Sequence, residues 1–252
     1  YKRQGMADAE VHLSTGVEYT SGRYGGVEDI EELYVPFTLR MDNGRFGASL
    51  TVPYLSVRAP SDTILGPDGE PLPGSGEVTT ESGLGDVKAS LTLFDAFYSP
   101  DLAFAVDLTG AINFGTADVD KGLGTGEPDF SVYLDGYKWF DRFTLISSIG
   151  YRWRGEPEGV KFENVIMAGL GGAWETGERS MLGAMFDYRQ SALAGLDDIQ
   201  EVTAFGSLRL NDHWNLYLYA FTGFTDSSPD WGGGISIATD FSPRLLSADR
   251  VD

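Results

Sequence analysis

The strongest constraint on this chain is a side-chain period of two, repeated twelve times and punctuated by joins that are long, then short, then long. The short joins fall at Asp42–Arg45, Tyr98–Asp101, Asp141–Arg142, Thr176–Glu178 and Asn211–His213. They alternate with longer stretches at Thr20–Ile30, Pro60–Ser82, Thr116–Pro128, Gly155–Lys161, Ser191–Asp197 and Thr225–Asp230. Alternation of apolar and polar residues marks strands whose two faces meet different surroundings. An even number of such strands, with tight turns at one end and larger loops at the other, is the pattern of an outer-membrane barrel. A soluble sandwich has no reason to sort its loops by length. The sequence therefore predicts an all-β fold: a transmembrane, up-and-down, antiparallel β-barrel of 12 strands with short periplasmic turns and longer extracellular loops.

A mean hydropathy of −0.16 does not oppose this reading. Only every second side chain of a barrel strand meets lipid, so no run of roughly 20 apolar residues is needed, as it would be for a helix. The 252 residues show no interdomain linker, and Gly66–Gly76 reads as a surface loop. We expect one barrel domain over residues 1–241, with 242–252 a periplasmic extension or an appended segment. The absence of cysteine excludes disulfides and thiolate metal sites. No signal peptide is visible at Tyr1, and that absence is uninformative about export.

Strand by strand, the apolar face can be named. It carries Leu13 and Val17 in the first run, Leu33, Phe37 and Leu39 in the second, Leu50 in the third and Leu91 in the fourth. Later strands are expected at about 129–140, 143–154, 162–175, 179–190, 198–210, 214–224 and 231–241. Aromatic residues gather in two belts, among them Phe97, Tyr98, Phe140 and Trp214 beside short turns and Tyr54, Phe114, Trp153, Phe162 and Trp231 beside long loops, as membrane interfaces favour. Pro36 and Pro53 interrupt the second and third strands. Each removes a ladder donor, so a bulge or local opening is expected there.

The opposite face would line the lumen. Its candidate pore-lining acids are Asp86, Asp107, Asp129, Asp135, Asp187 and Glu201. Its candidate bases are Arg40, Lys88, Arg152, Arg154, Arg189 and Arg209, with Tyr133 and Tyr217 as aromatic contacts. Acids opposed to bases across the lumen would orient a polar solute, or would pair and fill the interior. A formal net charge of −20 arises largely in the loops and argues against nucleic acid as a partner. Those loops could bind divalent ions that bridge lipopolysaccharide. Asp118-x-Asp120 starts like a calcium loop, but the spacing then breaks, so no metal or cofactor is expected. His12-x-Ser14 is the one pair suggestive of a lipid hydrolase; it lies near the periplasmic rim, away from the outer leaflet, and no enzymatic activity is expected.

Three segments carry a family resemblance: Ala48–Tyr54 (ASLTVPY), Gly83–Leu93 (GLGDVKASLTL) and Gly124–Leu134 (GTGEPDFSVYL). They resemble the outer-membrane transporters grouped under the meta-cleavage pathway of phenol degradation. The resemblance implies a barrel channel for uptake of small organic, often aromatic, compounds, and it adds weight to Asp86 and Asp129 as pore-lining positions. The expected function is passive, selective diffusion of small organic solutes through a lumen narrower than that of a 16–18-stranded porin. Two alternatives stand beside it: a structural or adhesive barrel with a closed lumen and acidic partner-binding loops, and an outer-membrane lipid hydrolase. The expected setting is the bacterial outer membrane. The partners would be the bilayer, lipopolysaccharide, the solute and, during biogenesis, the barrel assembly machinery.

Overall fold

Alternation alone cannot say how a strand finds its neighbours; the computed structural model, which describes residues 10–66, 71–72, 74–157 and 161–241, shows the pairing. The strands are β1 (Glu10–Gly22), β2 (Ile30–Asp42), β3 (Phe46–Pro60), β4 (Ile64–Leu65), β5 (Pro71–Leu72), β6 (Val78–Leu84), β7 (Lys88–Ser99) and β8 (Phe104–Asn113). They continue with β9 (Asp129–Phe140), β10 (Phe143–Trp153), β11 (Val165–Gly177), β12 (Ser180–Arg189), β13 (Ile199–Arg209), β14 (Trp214–Gly223) and β15 (Trp231–Phe241). Each long strand pairs antiparallel with its neighbour in sequence, and β1 closes on β15 from Val11 opposite Phe241 to Ser21 opposite Trp231. β6 and β7 both pair with β3 and are two halves of one stave, so the ring has twelve staves. Closure leaves no edge, which satisfies the backbone polar groups inside a bilayer. The proposed tail, 242–252, lies outside the described residues.

The turns follow from local chemistry. In the β2–β3 turn the Asn43 side-chain oxygen accepts from the backbone N–H groups of Arg45 (3.1 Å) and Phe46 (2.8 Å). Asn211 does the same for His213 and Trp214 before β14. The apolar residues assigned to lipid are exposed on the outside of the ring, including Leu13, Phe37, Leu39, Leu50 and Leu91. Phe97, Tyr98, Phe140, Trp174 and Trp214 are exposed near the short turns, and Tyr54, Phe130, Trp153, Phe224 and Trp231 near the long loops. Phe162 departs from expectation. It precedes β11 rather than opening it, and is buried with the Arg154 guanidinium 4.6 Å above its ring.

The two prolines explain the irregular wall. Pro36 and Pro53 face each other across an uninterrupted β2–β3 ladder, so their missing donors affect the seams on either side. The β1–β2 ladder is broken between Thr15–Phe37 and Glu18–Tyr34, opposite Pro36. The β3 ladder is broken between Tyr54–Leu84 and Thr51–Lys88, where Gly85, Asp86 and Val87 oppose Val52 and Pro53. The stave therefore bulges there. Gly85 donates its N–H to the Pro53 carbonyl at 2.9 Å. A Cβ on Gly85 would stand 2.8 Å from Leu55, so glycine permits this close approach.

Beyond the bulge, β3 and β6 project as a hairpin, and the β4–β5 segment folds back over the mouth. Leu65 is buried there among Tyr24, Ile30, Leu55, Val57 and Leu123, and its N–H donates to the Gly122 carbonyl at 2.9 Å. From this small apolar core the segment reaches across the opening, where Pro71 and Leu72 share a small space with Arg154, Phe162, Leu193 and Leu196.

Candidate permeation pathway

Inside the ring a cavity of about 700 Å³ is bounded by β1, β2 and the staves from β9 to β15. A second space of about 190 Å³ lies toward β3 and the bulged stave, and the two share Glu18 and Glu32 on their walls. The shape of the larger cavity follows from glycines placed beneath aromatic rings. Tyr219 is opposite Gly234 and Phe221 opposite Gly232 in the β14–β15 register. A Cβ at Gly234 would lie 2.7 Å from the Tyr219 ring, and one at Gly232 would lie 2.3 Å from Phe221. Bare backbone on β15 thus lets both rings lie close against the wall. Tyr217, Tyr219 and Phe221 form a strip along β14, with ring centroids 5.5 and 6.3 Å apart. The Tyr219 hydroxyl donates to the Glu18 carboxylate on β1.

Glycines on β11 likewise make room for side chains of the next strand. Met185 and Asp187 of β12 lie over Gly171 and Gly169, where a Cβ would come within 2.5 and 2.8 Å of them. Above the cavity, the loop tyrosine Tyr24 is buried, and loss of hydration pushes its hydroxyl well above its ordinary value.

The sequence-derived residues separate into groups. Tyr133, Asp187, Arg189, Glu201 and Tyr217 line the larger cavity, while Asp86 and Lys88 line the smaller one. Arg152 is held by Ser131 (3.0 Å) and the Tyr133 hydroxyl (3.1 Å). Arg154 stands 3.7 Å from Asp129, and both side chains are almost fully enclosed. Asp129 also accepts the Gly155 N–H at 2.7 Å, tying the loop after β10 to β9. Asp86 accepts from the Asn113 side chain and the Ala117 N–H, both at 2.8 Å. A Cβ on Gly124 would lie 3.2 Å from Asp86, so the two glycine-rich family segments meet around the 114–128 loop.

Toward the short turns, Asp107 accepts the Asp95 N–H at 2.8 Å, steadying a bulge at which Asp95 takes φ 49°. That bulge turns Phe94 into a buried position against Gly47, with Arg40 5.3 Å over its ring. Arg209 is exposed at the same rim. Beside the Asp129–Arg154 pair, acids also face acids in adjacent strands: Asp107 is opposite Asp135, and Asp187 opposite Glu201. His12 points its Nε2 at Asp42 (3.4 Å) and Glu10 (4.0 Å); the same Asp42 oxygen is 3.4 Å from Arg40. Sequence reasoning overlooked Phe94, Met167 and Phe221, whose signal lay in the glycines that oppose or underlie neighbouring rings.

A closed antiparallel ring with an apolar outer band, interfacial aromatics and a polar, aromatic interior defines an outer-membrane β-barrel. A family model matches residues 6–241, and the chain belongs to that family, described as "Putative MetA-pathway of phenol degradation". No curated protein matches the sequence. Among solved structures, the COG4313 outer membrane channel from Pseudomonas putida F1 is similar at a TM-score of 0.71 and 11% identity, covering 94% of this chain and 97% of that one. The NanC porin is similar at 0.57 and 10% identity, covering 90% and 98% of the respective chains. The KdgM porin follows at 0.55 and 11% identity, covering 91% and 99%. The localisation that accompanies this fold is the bacterial outer membrane.

Proposed function

We propose that the protein is a passive channel through which small organic, amphipathic solutes diffuse, without catalysis, along a narrow lumen. The observation that carries this reading is the cavity of about 700 Å³ inside the closed ring, walled on one side by Tyr217, Tyr219 and Phe221 and on others by carboxylates. Its volume lies within the ~300–1,000 Å³ of typical small-molecule sites. Family membership supports a role with small organic compounds. In this reading the bilayer and lipopolysaccharide surround the barrel, and the assembly machinery inserts it.

The test is purified, refolded protein in planar bilayers, with folding verified by heat-modifiable gel mobility. Discrete conductance steps that candidate aromatic solutes block would support the channel. A silent bilayer, together with no solute flux into liposomes, would refute it.

The broken ladder at Pro36 favours a second route, in which an apolar solute leaves sideways between β1 and β2. Val17 and Val35 fall opposite each other in the continued register across this break. A Val17→Cys/Val35→Cys disulfide should close the seam, since facing strand residues come within the ~4.4–6.8 Å Cα separation a disulfide needs. Loss of apolar-solute uptake on oxidation, with ion conductance retained, would support the lateral route; equal uptake before and after would exclude it.

A further inference from the structure

We infer, resting on the channel reading above, that the lumen favours organic cations: solutes carrying a positive nitrogen on an aromatic or alkyl body. Among the described residues, Glu18, Glu32, Asp187 and Glu201 line the larger cavity with Arg189, and Lys88 and Asp86 border the adjoining space that shares Glu18 and Glu32. Arg152 and Arg154 hold wall partners on β9 and in the adjoining loops: Ser131 and Tyr133 for the first, Asp129 and the Phe162 ring for the second.

The placement of these acids is as informative as their number. Asp187 and Glu201 are directly opposite in the β12–β13 register and face the same cavity. The two carboxylates thus present negative charge to the same stretch of lumen, beside Arg189. Glu18 is held by the Tyr219 hydroxyl at the edge of the aromatic strip, so a carboxylate and ring faces border the same space. Tyr219 and Phe221 are stacked with an interplanar angle of 13°. An ammonium can approach a ring face within ~6 Å while a carboxylate neutralises its charge, and the rest of the solute then meets apolar surface. A hydrated metal ion gains little from Tyr217, Phe221 and Met167; an anion meets four carboxylates against Arg189. The acidic loop residues Asp226 and Asp230, flanking the same mouth, add to the attraction for cations.

Three probes of similar ring size and no spontaneous membrane crossing separate the possibilities: benzyltrimethylammonium, benzenesulfonate and neutral phenyl glucoside. Their fluxes are measured in liposomes holding the full chain, with reversal potentials against potassium in planar bilayers. Benzyltrimethylammonium should permeate about tenfold or more faster than benzenesulfonate, and faster than the glucoside. Asp187→Asn should lower the cation-to-anion ratio several-fold, and Glu201→Gln provides the same test from the facing strand. Tyr217→Leu should slow benzyltrimethylammonium more than potassium. Equal permeation of cation and anion, or a ratio unmoved by both carboxamide variants, would overturn the inference while leaving the channel intact. Passage of potassium with exclusion of benzyltrimethylammonium would also overturn it, in favour of an inorganic-cation pore. Failure of every probe and of ion conductance would overturn the channel reading itself.

Discussion

Replacing Asp86 by alanine should loosen the 114–128 loop while leaving the barrel closed. The Asp86 carboxylate is only 6% exposed and accepts two hydrogen bonds of 2.8 Å, from the Asn113 side chain and the Ala117 N–H. Removing the acceptor leaves both donors without it, and an unsatisfied buried group costs about 1–3 kcal/mol. Water can enter at the extracellular end, so the combined cost is set at about 2–4 kcal/mol rather than the full sum. At about 1.4 kcal/mol per factor of ten, the open population of the loop rises about 30-fold to several hundred-fold. Lys121, at the end of the short 3₁₀ turn Val119–Lys121, reports this opening. Trypsin cleavage after Lys121, followed by mass spectrometry on the membrane-embedded protein, tracks the open population when reclosing outpaces cutting. Asp86→Asn should give a smaller increase, because one carboxamide oxygen still accepts and the Asn113 amide can rotate to pair with the new donor. If Asp86→Ala stays heat-modifiable and cleavage after Lys121 changes by less than about twofold, the staple assigned to Asp86 is wrong.

Phe94→Ala should widen the lumen near the short turns, because Phe94 is packed against Gly47 beneath Arg40; an increase of about twofold in single-channel conductance is expected, and no increase would show that the constriction lies elsewhere. Gly234→Val should push the Tyr219 ring off β15, where a Cβ already stands 2.7 Å from it. The cost of about 1–3 kcal/mol should lower the temperature of the heat-modifiable transition, whereas Tyr219→Phe, losing only the bond to Glu18, should cost about 0.5–1.5 kcal/mol. Asp62 in the long loop is held below its usual carboxylate range by the Gly76 and Ser75 N–H groups, each 2.7 Å away. Because the folded value is depressed, this contribution is fully present above the unfolded value of about 3.9 and is lost as pH falls through the lower folded value. The Ser75 and Gly76 amide NMR shifts should therefore titrate together with a midpoint below ~3.9; a midpoint at or above it would contradict the hydrogen bonding.

The wall was legible from sequence because lipid and lumen impose opposite chemistry on successive side chains. The strands expected at 129–140 and 231–241 match β9 and β15 in both bounds, and those from 143 and 214 begin where β10 and β14 begin. Phe162 shows where the pattern misleads: an aromatic before a strand looks the same whether it serves as a membrane anchor or packs beneath an arginine. The interior was less legible for a similar reason. Alternation assigns Asp86, Asp107 and Asp129 to the inner face, yet their partners are Asn113 and Ala117, Asp95, and Gly155 and Arg154. All three acids serve chain segments that leave the ladder, at a bulge or in a loop, where a period of two carries no information. The glycines held the missing signal. Once closure fixes the register, an inward glycine marks where a neighbour's large side chain lies: Gly234 under Tyr219, Gly232 under Phe221, Gly169 beside Asp187. Strand identity thus comes from the apolar residues, whereas the contour of the lumen comes from the smallest residues read against their cross-strand partners.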